Sequence, residues 1–309
     1  MPIFTPSQVT GLTAVSVSLS ALSFIGSGFI IYSYASFPEL RKFSFKLIFL
    51  MSCADCAACI AYFFGSPATG SPLCTVQGLM EQGCQLSSIV WTTIISYTLW
   101  NAVVKREAVT DKMNAFLFFG FALPALTCVL PLSTGSFANT GAWCWIDQSD
   151  VGTVWRFALF YVPLWSAIIF NGYTYWLVID SMKELFKTQN SEIPSKYRAL
   201  INRLKLYPII LVGCWFFGTI NRFQQAVAPN SPQYWLFVLQ VCGSHLQGLL
   251  NAVAYGLNPS VRDAWVEKLA GHARLEGVAR FLKPPGVELR DGEEEGGMAG
   301  EEGEEETAL

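Results

Sequence analysis

Seven long apolar runs, separated by short polar loops, constrain this chain more than any other feature. Each run has roughly the 20 residues that an α-helix needs to cross a bilayer core of about 30 Å. The runs occupy residues 11–35, 44–65, 76–104, 114–132, 154–180, 204–227 and 234–257. The fourth is the shortest and contains two prolines. The pattern predicts an all-α membrane protein with a seven-transmembrane helix bundle.

Composition agrees with a membrane protein, since 52% of the residues are apolar and only 14% are charged. Charge is unevenly placed along the chain. Residues 288–309 hold ten Asp or Glu and one Arg, whereas the first 287 residues carry a formal charge of +6. The first run has no basic segment before it, so we expect a membrane span there rather than a cleaved signal peptide. We expect no nucleic-acid partner.

Basic residues mark the orientation of the predicted bundle. By this prediction, 18 of the 20 Lys and Arg residues lie on one side of the membrane, and only Arg156 and Arg222 lie toward the other. Loops rich in Lys and Arg stay in the cytoplasm, so the N-terminus is predicted to be extracellular. The membrane is predicted to be the plasma membrane. The predicted parts are an extracellular N-terminus (1–10), the seven-helix domain (11–258), an amphipathic membrane-surface helix (259–283) and a disordered acidic cytoplasmic tail (284–309).

Two of the nine cysteines, Cys74 and Cys144, fall in the outer compartment, where disulfides form. We expect them to pair and to hold the loop over the bundle mouth; the alternative is two unpaired loop cysteines. Trp143 and Trp145 flank Cys144. They are expected either to seat the loop as a lid or to rest at the lipid interface.

Five short sequence motifs together resemble those of a known family. They are "CTVQG" and "WTTIISYTLW" in the third run, "WCWI" in the loop, "YPIILVGCWFFGTINR" in the sixth run and "LQGLLNAVAYGLNPSVRDAW" at the end of the seventh. In this order they resemble the slime-mould cyclic AMP receptors and their plant and protist relatives, over about residues 12–268. The resemblance implies a G-protein-coupled receptor with an extracellular ligand, cyclic AMP being the first to try, and a heterotrimeric G protein as partner.

Two departures separate the chain from rhodopsin-like receptors. The third run ends in "SYTLWNAVVKRE", without Asp-Arg-Tyr, and the seventh ends in "NAVAYGLNP", without Asn-Pro-x-x-Tyr. The activation switches of that larger class therefore cannot be transferred by position.

Polar residues at helical spacing in the third and seventh runs predict two polar faces turned toward the bundle interior. With the two outer-side arginines they outline a cup open to the outside. The predicted ligand-binding residues are Gln77, Glu81, Gln85, Arg156, Arg222, Gln240 and His245. An anionic ligand would suit the arginines. A resting Glu81–Arg222 ion pair could be opened by ligand or be purely structural, and interhelical hydrogen bonds alone could also explain the polar faces.

Asp55 lies at the middle of the second run, where a lone carboxylate needs a partner. Asn251 and Asn258 are the expected partners, with Ser52 and a bound sodium ion or water as further candidates. Together with Tyr255 they form a predicted switch network between the ligand site and the cytoplasm. A static polar clamp between the second and seventh helices is the alternative.

Basic residues on the cytoplasmic side predict a transducer surface, although charge that only sets orientation is an alternative. The residues concerned are Lys105, Arg106, Arg198, Arg203 and Lys205. The segment after Pro259 is predicted to lie on the anionic inner leaflet as an amphipathic helix that contacts membrane lipid. The C-terminal "TAL", ending at Leu309, matches a simple PDZ-ligand pattern.

Other classes fit less well. The chain has only two histidines, His245 and His272, which are too few for a zinc-dependent membrane hydrolase, so no enzyme is expected. The last two runs contain no lysine that could bind retinal beyond Lys205 at the inner rim, and no cofactor is expected. A transporter, or a receptor that signals without G protein, is the alternative function. Its weakness is that no internal repeat is visible.

Overall fold

The computed structural model describes residues 4–188, 206–228, 231–256 and 259–270. The chain divides into two compact units, Met1–Gly256 and Leu257–Leu309. Within the residues described, the first unit contains seven long helices and a two-stranded hairpin. The helices are α1 (Pro6–Ser36), α2 (Phe43–Tyr62), α3 (Pro72–Trp100), α4 (Thr110–Ser133), α5 (Asp150–Lys187), α6 (Leu206–Val227) and α7 (Tyr234–Gly256). The strands β1 (Phe137–Asn139) and β2 (Cys144–Ile146) lie between α4 and α5. In the second unit, α8 spans Pro259–Ala270.

The all-α membrane architecture predicted from the apolar runs is confirmed. Among the described residues, six helices are long and apolar enough to cross a membrane. Of the seven long helices, only α3 is not one of these six; it has 29 residues and overlaps the third predicted run. Its buried polar residues, including Gln77, Glu81, Gln82 and Gln85, lower its hydropathy and mark it as the polar helix of the bundle.

Local sequence signals start the helices. Thr5 caps α1 in a capping box: its hydroxyl accepts from the Gln8 amide, and the Gln8 side chain accepts from the Thr5 amide. Ser71 accepts from the Cys74 amide at the start of α3, with Pro72 at the first helical position. These caps replace helix bonds that the first turn cannot make.

Prolines interrupt α4 and α5, and α3 compensates for the interruption. Proline has no amide hydrogen, so the carbonyl four residues earlier loses its helix partner. Before Pro124, the freed carbonyl of Gly120 accepts from Ser87 Oγ at 2.5 Å. Before Pro163, the carbonyl of Leu159 accepts from Gln82 Nε2 at 3.2 Å. A π-helical turn precedes each proline, at Phe118–Ala122 and Phe157–Tyr161.

A serine of α1 interrupts α7. Ser23 Oγ accepts from the Leu249 amide at 3.1 Å and donates to the His245 carbonyl at 2.5 Å. These are the two backbone groups that would bond to each other in an unbroken helix. The inserted side chain therefore divides α7 into Tyr234–His245 and Gln247–Gly256.

Helix α3 occupies the centre of the first unit, where it packs against α2, α4, α5 and β2. Helix α1 packs against α2 and α7, and α6 packs against α7. The α1–α7 contact is close because Gly26 lies against the backbone of Leu249; a side chain at Gly26 would meet it at 3.1 Å. The main apolar cluster lies beneath the hairpin and contains Trp143, Trp145, Phe160 and Phe237.

In the second unit, α8 covers the first half of the predicted amphipathic segment. The Lys268 ammonium lies 5.7 Å from the centre of the Trp265 ring. Its location on a membrane surface stays a prediction, as do the predicted domain boundaries. The rest of that segment, the acidic tail and Leu309 lie outside the described residues.

Candidate functional site

The predicted disulfide is confirmed, and it joins the hairpin to α3. Cys74 and Cys144 are bonded, with their Cα atoms 5.2 Å apart. Trp143 and Trp145 are only 2% and 4% exposed. Both rings point into the bundle, so the lipid-interface alternative is wrong and the hairpin covers one end of the bundle as a lid.

Additional hydrogen bonds fix the hairpin to the α2–α3 side. The Gln77 side chain accepts from the Cys144 amide at 2.7 Å and donates to the carbonyls of Ala61 and Gly65. The Asn139 side chain donates to Ser66 and Pro67 in the loop between α2 and α3. Gln77 was predicted to bind ligand, but all its bonds in the structure are to the scaffold that holds the hairpin.

Beneath Trp145 lies a cationic cluster from α5 and α6. The guanidinium carbons of Arg156 and Arg222 lie 5.3 and 5.1 Å from the centre of the Trp145 ring. Gln225 Oε1 accepts from both, at 3.1 Å from Arg156 Nη1 and 2.6 Å from Arg222 Nη1. Arg156 also donates twice to the Ile146 carbonyl, at 2.8 and 2.5 Å. A neutral amide oxygen thus stands where a carboxylate would normally neutralise two guanidinium groups.

Arg222 is incompletely bonded although it is only 2% exposed. Its Nε and Nη2 have no hydrogen-bond partner within the described part of the chain. Among those same residues the ion pairs are Lys187–Glu184 and Arg262–Asp263, so neither buried arginine has an acidic partner within ion-pair distance. Buried donors of this kind are costly when left unpaired.

Beneath Trp143 lies an acidic cluster. The Tyr62 hydroxyl donates to Glu81 Oε1 and accepts from Gln85 Nε2 at 3.2 Å. The Tyr62 ring lies against the His245 ring, with ring centres 3.7 Å apart and the planes tilted by 32°, and the Trp143 ring centre lies 6.1 Å from His245. Glu81 is 9% exposed, and its Oε2 has no hydrogen-bond partner in the described residues.

His245 is held by two serines, with Nε2 2.8 Å from Ser16 Oγ and Nδ1 3.0 Å from Ser244 Oγ. We call the cationic cluster (Trp145, Arg156, Arg222, Gln225) and the acidic cluster (Tyr62, Glu81, Gln85, Trp143, His245) together the hairpin layer. Its members come from α2, α3, α5, α6, α7 and the hairpin.

Two expectations about this layer need correction. The predicted Glu81–Arg222 ion pair is absent from the described residues, because Glu81 bonds to Tyr62 and Arg222 bonds to Gln225. The predicted cup is not open, because the seven predicted ligand-binding residues are buried and the two tryptophans fill its mouth. Gln240 lies outside the hairpin layer, and its Oε1 accepts from Asn221 Nδ2 at 2.6 Å.

Deeper in the bundle, Asp55 has both carboxylate oxygens bonded. Ser88 Oγ donates to Oδ1 at 2.5 Å, and Asn251 Nδ2 donates to Oδ2 at 3.0 Å. Gln247 Nε2 donates to Ser88 Oγ at 3.0 Å, and Gln247 Oε1 accepts from the Trp215 indole at 2.7 Å. We call this network the Asp55 layer. The expected Asp55–Asn251 contact is present, and a switching role stays a prediction.

The remaining predicted switch and transducer residues lie away from the hairpin. Tyr255 stacks on Tyr207 with ring centres 4.6 Å apart, and both line a crevice that Asn251 also lines. Lys105 and Arg106 are exposed in the segment that follows α3, where the Lys105 ammonium lies 4.2 Å from the centre of the Trp100 ring. Asn258, Arg198, Arg203 and Lys205 lie outside the described residues.

Sequence reasoning missed three residues of the hairpin layer and its support. Gln225 lies three residues after Arg222 and therefore on the same helical face, a spacing that could have revealed it. Tyr62 ends the second apolar run, where a tyrosine reads as an interface residue. Gln82 donates to Leu159 and accepts from the Trp145 indole at 3.1 Å, although it lies off the polar face predicted for α3.

Metal ligation is not supported by the described residues, in which no group of three or more His, Cys, Asp or Glu side chains could hold an ion. What the hairpin layer offers instead is hydrogen bonding and charge: free donors on Arg222 and a free acceptor on Glu81. Groups of this kind can bind a polar molecule.

Comparison with known proteins gives consistent results. A profile of the slime mold cyclic AMP receptor family matches residues 7–268. G-protein coupled receptor 1 of Arabidopsis thaliana is 36% identical over 266 residues, covering 84% of this chain and 81% of that protein. Cyclic AMP receptor-like protein A of Dictyostelium discoideum is 27% identical over 267 residues, covering 85% and 69%. G-protein coupled receptor 157 of Homo sapiens is 26% identical over 269 residues, covering 79% of each chain.

Proposed function

The chain belongs to the slime mold cyclic AMP receptor family, and from this premise we propose that it is a G-protein-coupled receptor for an extracellular small molecule. It is a multi-pass membrane protein of receptor type, and its family is receptor-like rather than enzymatic. We propose that it crosses the plasma membrane seven times, with α3 as the central span and its polar face turned away from lipid. The distribution of Lys and Arg supports an extracellular N-terminus and hairpin.

The hairpin layer is proposed as the ligand site. The single observation that carries this assignment is the pair of buried, unused polar groups beneath the hairpin, Glu81 Oε2 and Arg222 Nε with Nη2. Bundle interiors normally satisfy such groups, so their persistence here suits a site completed by a ligand. Cyclic AMP is the first ligand to try, because it is part of the name of Cyclic AMP receptor-like protein A, a relative whose length is 69% covered by this chain.

Helix α7 supplies a connection between the proposed ligand site and the deeper network. His245 lies in the hairpin layer and Gln247 lies in the Asp55 layer, on either side of the point where Ser23 interrupts the helix. A helix broken at one peptide can change direction there while both halves stay intact. We propose that ligand shifts the population of two α7 arrangements and so reaches the cytoplasmic ends of α3, α5 and α6, where a G protein would bind.

Nucleotide exchange on purified heterotrimeric G protein, measured with the receptor reconstituted in lipid, tests this function. Cyclic AMP should accelerate exchange, and the acceleration should be lost in Arg222→Gln while that variant keeps its folded melting transition. Related cyclic nucleotides extend the screen. Absence of exchange with every G protein and every cyclic nucleotide tried would exclude the proposed coupling and favour a G-protein-independent receptor or a transporter.

A further inference from the structure

The interruption of α7 differs from those of α4 and α5 because α7 contains no proline. Pro124 and Pro163 have no amide hydrogen, so the carbonyls four residues before them cannot regain a helix bond. At the equivalent position α7 has Leu249, whose amide is intact. The interruption is also narrow, since the next amide, that of Leu250, donates to the Leu246 carbonyl at 2.9 Å. The missing bond of α7 can therefore re-form, whereas those of α4 and α5 cannot.

Ser23 of α1 occupies both ends of that one bond. Its hydroxyl accepts from the Leu249 amide at 3.1 Å and donates to the His245 carbonyl at 2.5 Å, the donor and acceptor of a single helix bond. Ser20 and Ser27 lie on the same face of α1 and are also buried. Their hydroxyls have no hydrogen-bond partner within the described part of the chain. Bridging of the α7 backbone is therefore particular to Ser23 among these three serines.

Open and closed forms of the α7 bond satisfy the same groups. In the open form, Ser23 makes two hydrogen bonds to α7. In the closed form, the Leu249 amide bonds to the His245 carbonyl, and the Ser23 hydroxyl is released to the carbonyl four residues earlier in α1. Ser33 makes this local bond in the same helix, to the Phe29 carbonyl at 2.7 Å. Each form has two hydrogen bonds, so the free-energy difference between them is within the range that a ligand can shift.

This bond lies between the two polar layers. His245 belongs to the hairpin layer, and Gln247, two residues later, belongs to the Asp55 layer. The backbone of α7 lies directly against Ser23 here, since a Cβ at Gly248 would meet the Ser23 Cβ at 3.3 Å. Closing the bond straightens α7 and changes the direction of its inner half relative to its outer half.

We propose that Ser23 is the positioning residue of α7: its hydroxyl exchanges between the α7 backbone and its own helix, and this exchange distinguishes the two arrangements of α7. This inference rests on the proposed receptor function and names the contact through which the ligand site reaches the cytoplasmic ends of the helices.

Two variants hold the bond in opposite forms. Ser23→Ala leaves two buried backbone groups unpaired in the open form and none in the closed form, so the ratio of open to closed should fall about tenfold or more. Leu249→Pro removes the amide and holds the bond open, as the prolines do in α4 and α5. Ser20→Ala is the matched control, because it removes an equally buried hydroxyl that has no bond to α7.

The His245 carbonyl reports the exchange directly. The sequence has only two histidines, His245 and His272. Full-length protein in lipid, labelled with ¹³C at the histidine carbonyl, therefore gives two carbonyl signals by NMR, and His272→Gln identifies the one from His245. Thermal melting shows that each variant folds.

Ser23→Ala should move the His245 signal to the closed, helical position, and Leu249→Pro should move it to the open position. Wild type and Ser20→Ala should lie between these positions or show both, with populations that change with temperature. Where cyclic AMP accelerates nucleotide exchange, the ratio of stimulated to basal exchange should fall toward one in Ser23→Ala and Leu249→Pro and persist in Ser20→Ala. If one locked variant does not fold, the other decides by its difference from wild type.

Three NMR results overturn the proposal: Ser23→Ala keeps the wild-type signal; Ser20→Ala moves as Ser23→Ala does; or wild type coincides with Leu249→Pro at every temperature, which means a static clamp. The NMR measurement needs neither ligand nor G protein, so its failure is distinct from failure of the receptor function. Signals that move as expected without nucleotide exchange in wild type would reject the coupling and keep the α7 exchange. Stimulated exchange that survives in both locked variants would keep the receptor and reject the role of Ser23.

Discussion

The hairpin layer and the Asp55 layer are both polar clusters inside an apolar bundle, yet their bonding differs. Asp55 uses both oxygens, and its partners Ser88, Gln247 and Asn251 bond one another or Asp55. Glu81 uses one oxygen, and Arg222 leaves two nitrogens unused. A carboxylate with both oxygens bonded contributes to helix packing, whereas one with a free oxygen can still accept a hydrogen bond from a ligand. This difference supports the proposal that the hairpin layer, rather than the Asp55 layer, binds the ligand.

The largest effect should come from detaching the hairpin. Cys144→Ser removes a disulfide between residues 70 positions apart, which stabilises by about 4 kcal/mol on a chain-entropy estimate. The variant should melt well below the wild type and lose ligand binding. Cys242→Ser, at a free cysteine, is the control and should keep its melting temperature and binding. Equal melting of the two variants would contradict the role given to the hairpin.

A matched pair of isosteric changes compares the two layers directly. Asp55→Asn places an amide donor against Asn251 Nδ2 or Ser88 Oγ, so it should cost about 2–3 kcal/mol of unfolding free energy. Glu81→Gln keeps the acceptor for Tyr62 and changes only the oxygen without a partner, so it should cost under about 1 kcal/mol. Denaturation of both variants in the same detergent measures the difference, and equal costs would remove the distinction between the layers.

Adding a charge should make the hairpin layer resemble the Asp55 layer. Gln225→Glu supplies a carboxylate to Arg156 and Arg222, which already share its oxygen, and should stabilise the ligand-free protein by about 1–2 kcal/mol. The melting temperature should rise. Gln224→Glu adds the same charge one residue away and should give no comparable rise. A lower melting temperature for Gln225→Glu would mean that the arginines are already neutralised.

The smallest effect concerns how Trp145 is held. Trp145→Phe keeps a ring beside both arginines but removes the indole bond to Gln82, leaving that buried amide oxygen unpaired, for a cost of about 1 kcal/mol. Because Gln82 also supports the Leu159 carbonyl of α5, the change should loosen α5 beside Pro163. Hydrogen exchange of the amides of residues 157–162 checks this, with Trp155→Phe as the control.

Much of this architecture is readable from the sequence. Helix positions follow from apolar runs of bilayer length, and the Cys74–Cys144 bond follows from placing both residues in one oxidising compartment. The locations of polar residues such as Glu81, Arg222 and Asp55 follow from helical spacing. Each of these depends on a period, a length or a compartment, which a single chain displays without knowledge of its contacts.

The pairing of those polar residues could not be predicted. Placing Glu81 and Arg222 at similar depth suggested an ion pair, but depth does not decide which side chain intervenes, and Tyr62 and Gln225 take the bonds instead. The interruption of α7 could not be predicted either, since Ser23 lies more than 220 residues before His245 in the sequence. Neutral partners of charged groups and inserted side chains depend on rotamers and helix rotation, which periodicity leaves undetermined.

The attachment of the hairpin has a mechanical consequence. Its disulfide and the bonds of Gln77 and Asn139 all lead to α3 or to the loop before it, so the hairpin moves as part of the α2–α3 pair. Toward α5 and α6, Arg156 donates to the Ile146 carbonyl, Gln148 just after β2 donates to Gln225, and Trp145 packs against rings of α5 and the two arginines. If the hairpin layer is the ligand site, as proposed, a molecule that enters it must separate these side chains of α5 and α6 from Trp145, and its entry would move the helices that end at the opposite face.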